Sequence, residues 1–451
     1  MKPNILLIVI DSLRTDRIFG KQKTASSPNI DSLIKKGVYF SNTITTSQYS
    51  SQVMTSIFTA RFLLDDGTTK KPHTKINSTP TSLLSLLKNN GYNISAIAQE
   101  DVFLQGLKET FDNKDVSYKI EDNLYNGLGE RILKKLYSLT SPWFYYIHLE
   151  DLHVPCVVPE ELGHLKLTER YDRNIFEIDS LIGKILKKIN LDETIIVITS
   201  DHGEYISPIH GPLMESMNTK VAIKNLIKKL LPRTILIKLH IKKRMLVGKI
   251  QASKTDIPHE KRIFENTRQL PNKALYDDIV HVPLLFTGFG INSISSISQQ
   301  ICNIDIFPTI LELIGIPITI QNLYGRSLVP LLRGKELDSI PIYMTSLAII
   351  KELCLNMKIG HSSKPLVGIR TQNFKYFRNF QDPKKDVHLY DLKNDPLEDN
   401  NIANERSDVV KEMELNIEKI KKDALPLSNE EELGEKEIKR VKESLKRLGY
   451  I

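Results

Sequence analysis

The apolar run TIIVITS stops at Asp201, and the next residues are His202, Gly203 and Glu204. A second run, NILLIVI, stops in the same way at Asp11, and a third, WFYYIHL, leads into Asp151 and His153. Carboxylate oxygens and imidazole nitrogens gathered from separate segments are the donors of a divalent-cation site. A lone aspartate after a strand is more ordinarily a helix cap or a turn residue. An acid and a histidine side by side, on a turn that carries a glycine, fit a pair of ligands better than a cap. His148 alternates with the buried positions of its own run. It reads equally as a core residue or as one that supports the ligands from behind.

The elements that must position these groups are buried strands. ILLIVI is apolar at every position, as in a strand covered on both faces of a parallel sheet. SPNIDSLIKKG reads as a helix opened by Ser27 and Pro28 and closed by Gly37. TPTSLLSLLKNNGY is a second helix that ends at Gly91, followed by the strand ISAIA. WFYYIHL, the amphipathic DRNIFEIDSLIGKILKKI, ETIIVITS, HVPLLFTG and DIFPTILELIG continue the alternation. This order predicts an α/β sandwich with a largely parallel central sheet over residues 1–340. Residues 341–451 change in texture. VGIRTQNFKYFRNF and VHLYDL read as antiparallel strands, and a charged helix, NEEELGEKEIKRVKESLKRLGYI, closes a small α+β subdomain. In an open α/β sheet the ligand sits beyond the carboxyl ends of the strands. Asp11, Asp151, His153, Asp201 and His202 are therefore expected along one edge.

The 451 residues suffice for a large core, and the net charge of +8 is spread over many acids and bases. Such a mixture does not mark a nucleic-acid binder. Three widely spaced cysteines, Cys156, Cys302 and Cys354, support neither a disulfide framework nor a thiolate metal site. The opening reads as a first strand rather than a secretion signal, and no apolar run is long enough to span a bilayer. The expected location is the cytoplasm, with the inner membrane face as a second option. An insertion at about 214–272 is the chain's most individual feature. Residues 220–254 hold no acid, while Lys and Arg recur and Ile223, Leu226, Ile227, Leu230 and Leu231 share a helical face. This stretch fits an anionic membrane surface or a polyanionic glycan, and equally a helical hairpin packed on the protein's own body. It lacks the aromatic residues that would stack on nucleic-acid bases.

The ordered motifs resemble the sulfatase branch of the alkaline-phosphatase superfamily. PNILLIVIDSLRTD is similar to the opening strand and metal turn, YSSQVMTSIFTAR to the nucleophile motif and its helix, HLEDLHVP to the substrate-histidine segment, and VITSDHGE to the second metal motif. LYDDIVHVPLLF, NIDIFPTILELIGIP, GRSLVPLL, IRTQNFKYF and HLYDLKNDPLEDNNIA extend the match towards the C-terminus. The resemblance implies an alkaline-phosphatase-like fold and a cation held by Asp11, Ser50, Asp201 and His202. It places Ser50 at the nucleophile position and His153 and His210 across the site, with Arg61 and Lys273 as substrate contacts. It further implies hydrolysis of a sulfate ester of a glycan or lipid-linked substrate.

Three departures bear on the chemistry. Ser12 stands where two adjacent acids are common, which removes one carboxylate. SQVM follows Ser50 without the proline and arginine that formylglycine conversion reads, and the G-K-W-H segment is absent. An unconverted serine favours phosphoester hydrolysis or a phosphoryl or phosphoglycerol-type transfer, the second reading. An inactive membrane-surface or glycan-binding relative is the third. The resemblance implies calcium, and the reduced acid count with an imidazole leaves zinc, manganese or magnesium open.

Overall fold

The computed structural model describes residues 2–62, 82–99, 102, 107–113, 115–119, 122–206, 246, 248–265, 275–318, 320, 323–346 and 366–423. Nine strands form the main sheet: β1 (Asn4–Ile10), β2 (Val38–Ile44), β3 (Asn93–Gln99), β4 (Ser117–Tyr118), β5 (Trp143–Leu149), β6 (Thr194–Thr199), β7 (His281–Gly288), β8 (Ser295–Ile297) and β9 (Ile301–Cys302). Their order is β4-β3-β5-β1-β6-β7-β2-β8, with β9 also paired to β2. All neighbours are parallel except that β7 runs antiparallel to both β6 and β2. Apolar periodicity says nothing of strand direction, so the reversal of HVPLLFTG was not legible in its residues. Four antiparallel strands, β10 (Ile342–Thr345), β11 (Leu366–Arg370), β12 (Phe374–Asn379) and β13 (His388–Asp391), form a separate small sheet. The fold is thus α/β, with the small antiparallel sheet towards the C-terminus as expected.

Side-chain alternation assigns each strand residue to one of two cores. Along β1, Ile5, Leu7 and Val9 join one apolar cluster, and Leu6, Ile8 and Ile10 join the other. Both faces are covered, which is why the strand tolerates no polar position between Asn4 and Asp11. Helices α1 (Thr15–Ile18), α2 (Pro28–Lys36), α3 (Ser50–Thr59), α4 (Leu83–Asn89), α5 (Leu128–Tyr137) and α6 (Leu167–Leu186) supply the cover. Val53, Met54, Ile57 and Phe58 of α3 pack on the face that carries Ile5, Leu7 and Val9, while Ile175, Ile178 and Ile182 of α6 pack on the other. At ~1.5–3 kcal/mol per fully buried aliphatic or phenyl side chain, the α3 contacts alone hold that helix firmly against the sheet. Phe58 also meets Tyr146 of β5 edge to face, with ring centroids 5.4 Å apart.

The two sheets are joined through charged groups that burial alone would penalise. Lys375 of β12 is fully buried and pairs with both Asp277 and Glu398. Arg370 of β11 pairs with Asp277 at 2.8 Å. Asp278, next in the chain, takes Arg14 at 2.6 Å and His259 at 3.2 Å. Burial works to raise the pKa of Asp278, but Arg14, His259 and Arg262 outweigh it and hold the carboxyl below its ordinary range. Arg14 also donates to the Glu204 carbonyl at 3.1 Å, so the turns that follow β1 and β6 are tied to one another.

Asp305 reports on the cost of burying a carboxylate. Desolvation pushes its pKa up to about 6, although the Arg326 and Cys302 amides donate to it. A carboxyl raised on folding stabilises the native state most when protonated. Stability should therefore fall as pH climbs from the unfolded value near 4 towards 6 and level off above it. A two-unit rise sets an upper limit of ~3 kcal/mol on that loss. The expected result is that the stability difference between wild type and Asp305→Asn narrows between pH 4 and pH 7, read from urea midpoints at both. A difference constant with pH would contradict it.

Of the sequence expectations, the charged helix at 429–451 lies outside the described residues, as do most of the 214–272 insertion and Cys354. The helix described near the C-terminus is Ser407–Asp423. Among the described residues no helix is long and apolar enough to cross a membrane. Cys156 and Cys302 are buried, and neither forms a disulfide among the described residues.

Candidate metal centre and nucleophile

Register brings the site together. Val9 of β1 is level with His148 of β5 and with Thr199 of β6. Two residues further along, on the same face of the sheet, are Asp11 and Asp201. Three adjacent parallel strands thus send two carboxylates and one imidazole to a single point on the α3 side. Ligand atoms of Asp11, His148 and Asp201 all lie within 4.8 Å of one another, and all three residues are buried.

The other two groups arrive from turns. Ser50 is the first residue of α3, and the packing of that helix on the sheet aims its N-terminus at the ends of β1 and β6. Ser50 Oγ donates to Asp11 Oδ2 at 3.2 Å and stands 3.4 Å from His202 Nε2. His202 Nδ1 lies 2.8 Å from the Gly203 carbonyl oxygen. A carbonyl only accepts, so Nδ1 carries a proton, and Nε2 faces Ser50, Asp11 Oδ1 at 4.0 Å and Asp201 Oδ2 at 3.7 Å.

Both turns are constrained. Ser12 has a φ of 64°, a left-handed conformation that non-glycine residues seldom adopt. It is held there because Tyr171 Oη donates to its carbonyl at 2.6 Å and its own amide donates to Asp201 Oδ1 at 3.3 Å. Ser12 Oγ also donates to Asp11 Oδ1 at 2.5 Å. Gly203 answers to space rather than to an unusual φ. A Cβ there would lie 2.1 Å from the Asp278 carbonyl oxygen, a backbone atom that no rotamer can move away. Gly203→Ala is expected to cost about 2–3 kcal/mol by forced overpacking and to displace His202. A thermal melt and a metal titration of the variant check this; wild-type values in both would contradict it.

These residues fit a cation. Asp201 is fully buried and its Oδ2 accepts no hydrogen bond, although it faces two imidazoles. An anionic oxygen desolvated in this way costs several kcal/mol unless a positive charge meets it. Asp11, Asp201, His202 and Ser50 are the groups that would hold a divalent ion.

Other expected site residues are placed differently. Asp151 has turned away. Its Oδ1 accepts from the Leu124 amide at 2.9 Å, and burial pushes its pKa up to about 6. That amide is the first of the 3-10 turn Leu124–Asn126, which Asn123 caps, and the chain bends at once after β5. His153 lies in that bend, half-buried, with Nδ1 2.8 Å from the Val154 carbonyl oxygen. Arg61 lies beyond the far end of α3, and ten helical residues put its backbone ~16 Å from Ser50. His210 and Lys273 lie outside the described residues. The residue that sequence reasoning undervalued is His148. The available signal was parity, since it sits an even number of residues from Phe144 and Tyr146, on the α3 face.

A family model described as Sulfatase matches residues 3–316. The chain belongs to the sulfatase family. A second model, described as N-sulphoglucosamine sulphohydrolase, C-terminal, matches residues 268–423. Arylsulfatase K of Gallus gallus is 34% identical over 136 residues, which are 30% of this chain and 25% of that protein. The matched stretch thus spans a quarter of that relative. Two solved structures share the fold. One is a protein in complex with its substrate D-glucosamine-2-N,6-O-disulfate, with a TM-score of 0.63 and 18% identity, covering 94% of this chain and 98% of that one. The other is the phosphonate monoester hydrolase of Agrobacterium radiobacter, with a TM-score of 0.62 and 17% identity, covering 94% and 96%. Membership makes this sulfatase-family chain a sulfatase-like enzyme, and the fold expectation of an alkaline-phosphatase-like sandwich holds.

Proposed function

We propose that this protein hydrolyses a sulfate ester of a glycan or lipid-linked substrate, with Ser50 at the nucleophile position. The observation that carries the reading is the position of Ser50 Oγ, at the N-terminus of a ten-residue helix and 3.2 Å from Asp11 Oδ2. The partial positive charge of that helix end favours an anionic group on Ser50. The Ser50 proton has an acceptor at Asp11 Oδ2, and Nε2 of His202 lies on its other side. A bound divalent ion would lower the pKa of the hydroxyl and draw charge from the ester oxygens. His153 and His210 are proposed to protonate the leaving group or hold the remaining oxygens, with Lys273 adding positive charge. The disulfated glucosamine bound by one fold neighbour supports a sulfated sugar as the substrate class.

A second reading is phosphoester hydrolysis or phosphoryl transfer with unmodified Ser50. It is favoured by SQVM after Ser50 and by the phosphonate monoester hydrolase among the fold neighbours. A formylglycine hydrate can expel sulfate by collapsing to the aldehyde, whereas a serine sulfate ester must await attack by water. The test is a screen of aryl sulfates, aryl phosphates and phosphodiesters with metal added back, beside the intact mass of the Ser50 peptide. Turnover confined to phosphoesters with an unmodified serine would overturn the first reading and establish the second. Contact of residues 220–254 with an anionic membrane at the cytoplasmic face is also proposed. Liposome flotation of the full chain and of a deletion of that stretch tests it, and equal flotation would dismiss it.

A further inference from the structure

We propose that His148 is itself a metal ligand, and that the centre is built for zinc rather than for calcium. The inference rests on the metal-site reading above. His148 Nε2 lies 3.9 Å from Asp11 Oδ2 and 3.7 Å from Asp201 Oδ2, and its side chain is fully buried. Further donor contacts around the same point are Ser50 Oγ to Asp11 Oδ2 at 3.2 Å, Ser50 Oγ to His202 Nε2 at 3.4 Å and His202 Nε2 to Asp201 Oδ2 at 3.7 Å. A tetrahedral shell at zinc–ligand distances has edges of about 3.4 Å, so the spacing needs only a slight contraction.

Which cation fits is decided by donor type and by how each carboxylate is used. Asp11 Oδ1 accepts the Ser12 hydroxyl. Asp201 Oδ1 accepts the His202 amide at 2.8 Å and the Ser12 amide. Each acid therefore offers one oxygen, Oδ2, to the centre, and those two oxygens are the ones that face His148. Calcium takes six to eight oxygens and often uses carboxylates bidentately. Two monodentate carboxylates, two imidazoles and a hydroxyl make a four- or five-coordinate nitrogen–oxygen set, which suits zinc. Two carboxylates also balance a divalent charge among buried side chains.

The ring is oriented as a ligand needs. His148 Nδ1 lies 2.6 Å from Tyr146 Oη, which fixes the imidazole plane and directs Nε2 at the carboxylates. Tyr146 is itself set by Phe58 and by Phe111, whose ring centroid is 6.2 Å away. Sheet register, two aromatic contacts and one hydrogen bond thus position a single nitrogen.

The test starts from full-length protein stripped with chelator and titrated with Zn²⁺, Ca²⁺ and Co²⁺. Wild type should bind Zn²⁺ at least about 10³-fold more tightly than Ca²⁺. His148→Ala and His148→Gln should weaken Zn²⁺ by at least about 100-fold, change Ca²⁺ by less than about threefold, and alter the Co²⁺ d–d absorption. Unchanged Zn²⁺ affinity and Co²⁺ spectrum in both variants, with affinity abolished in Asp201→Asn, would overturn the role of His148 and leave the metal site standing. Absence of any divalent binding by wild type would overturn that underlying reading as well. Because His148 is buried and the variants can fail to fold, pulsed EPR of Cu²⁺-loaded wild type gives an independent count. Two coordinated imidazoles are expected; one overturns the inference.

Discussion

Ser50→Ala should lower kcat by at least about 10³-fold, roughly 4 kcal/mol of transition-state stabilisation, while leaving the fold close to wild type and weakening metal affinity far less than loss of a carboxylate does. The separation follows from where the side chain sits. Ser50 is half-buried at the start of α3, and the residues that fasten that helix are Val53, Met54, Ile57 and Phe58. Removal of one oxygen costs none of that packing. It does remove the atom placed between Asp11 Oδ2 and His202 Nε2, the hydroxyl proposed to carry a transferred sulfuryl or phosphoryl group. Steady-state rates on an aryl ester with a good leaving group, beside a thermal melt, check the expectation. A rate within tenfold of wild type would show that the covalent route does not run through Ser50.

Asp201→Asn should do the reverse: abolish metal affinity first, and activity in consequence. The substitution keeps the shape of a fully buried side chain and removes its charge. Asp201 Oδ2 accepts no hydrogen bond and faces His148 and His202, each at 3.7 Å, so its charge has no other evident purpose than a cation. Metal affinity should fall by at least about 100-fold and kcat at fixed metal by about 10³-fold, with partial recovery at high metal concentration. Wild type should also melt at a higher temperature as metal is added, and Asp201→Asn should not. An asparagine variant that keeps wild-type metal affinity would place the cation elsewhere. The two variants together separate loss of the reacting oxygen from loss of the charge that holds the ion.

How far the residues announced this site depends on how local each signal was. Asp11 and Asp201 were legible because each ends an apolar run, and strand ends are where an open α/β sheet binds its ligand. His202 came with Asp201. Ser50 was legible only through resemblance, because nothing local distinguishes it from Ser51 or Ser47. His148 was hidden by its surroundings: a histidine inside a buried strand has the neighbours of a core residue, and only pairing with β1 shows that it faces Asp11. Asp151 misled for the opposite reason. It follows a strand as Asp11 does, but the chain bends and its carboxylate is consumed by the Leu124 amide. The need for Gly203 comes from Asp278, which is 75 positions away in the chain and in contact in the fold, so no local signal could show it. The parallel core was written in its fully apolar runs and the alternation of strand with helix, and the direction of β7 was not, because an apolar run is the same read either way.

The central claim is that Asp11, Asp201, His202 and Ser50 converge on one divalent cation. Crystals grown with Mn²⁺ and measured at its absorption edge test it most directly. The account predicts one strong anomalous peak within about 2.5 Å of Asp11 Oδ2, Asp201 Oδ2 and His202 Nε2, with Ser50 Oγ beside it. A map with no peak there, or with its peak on other residues, would contradict it.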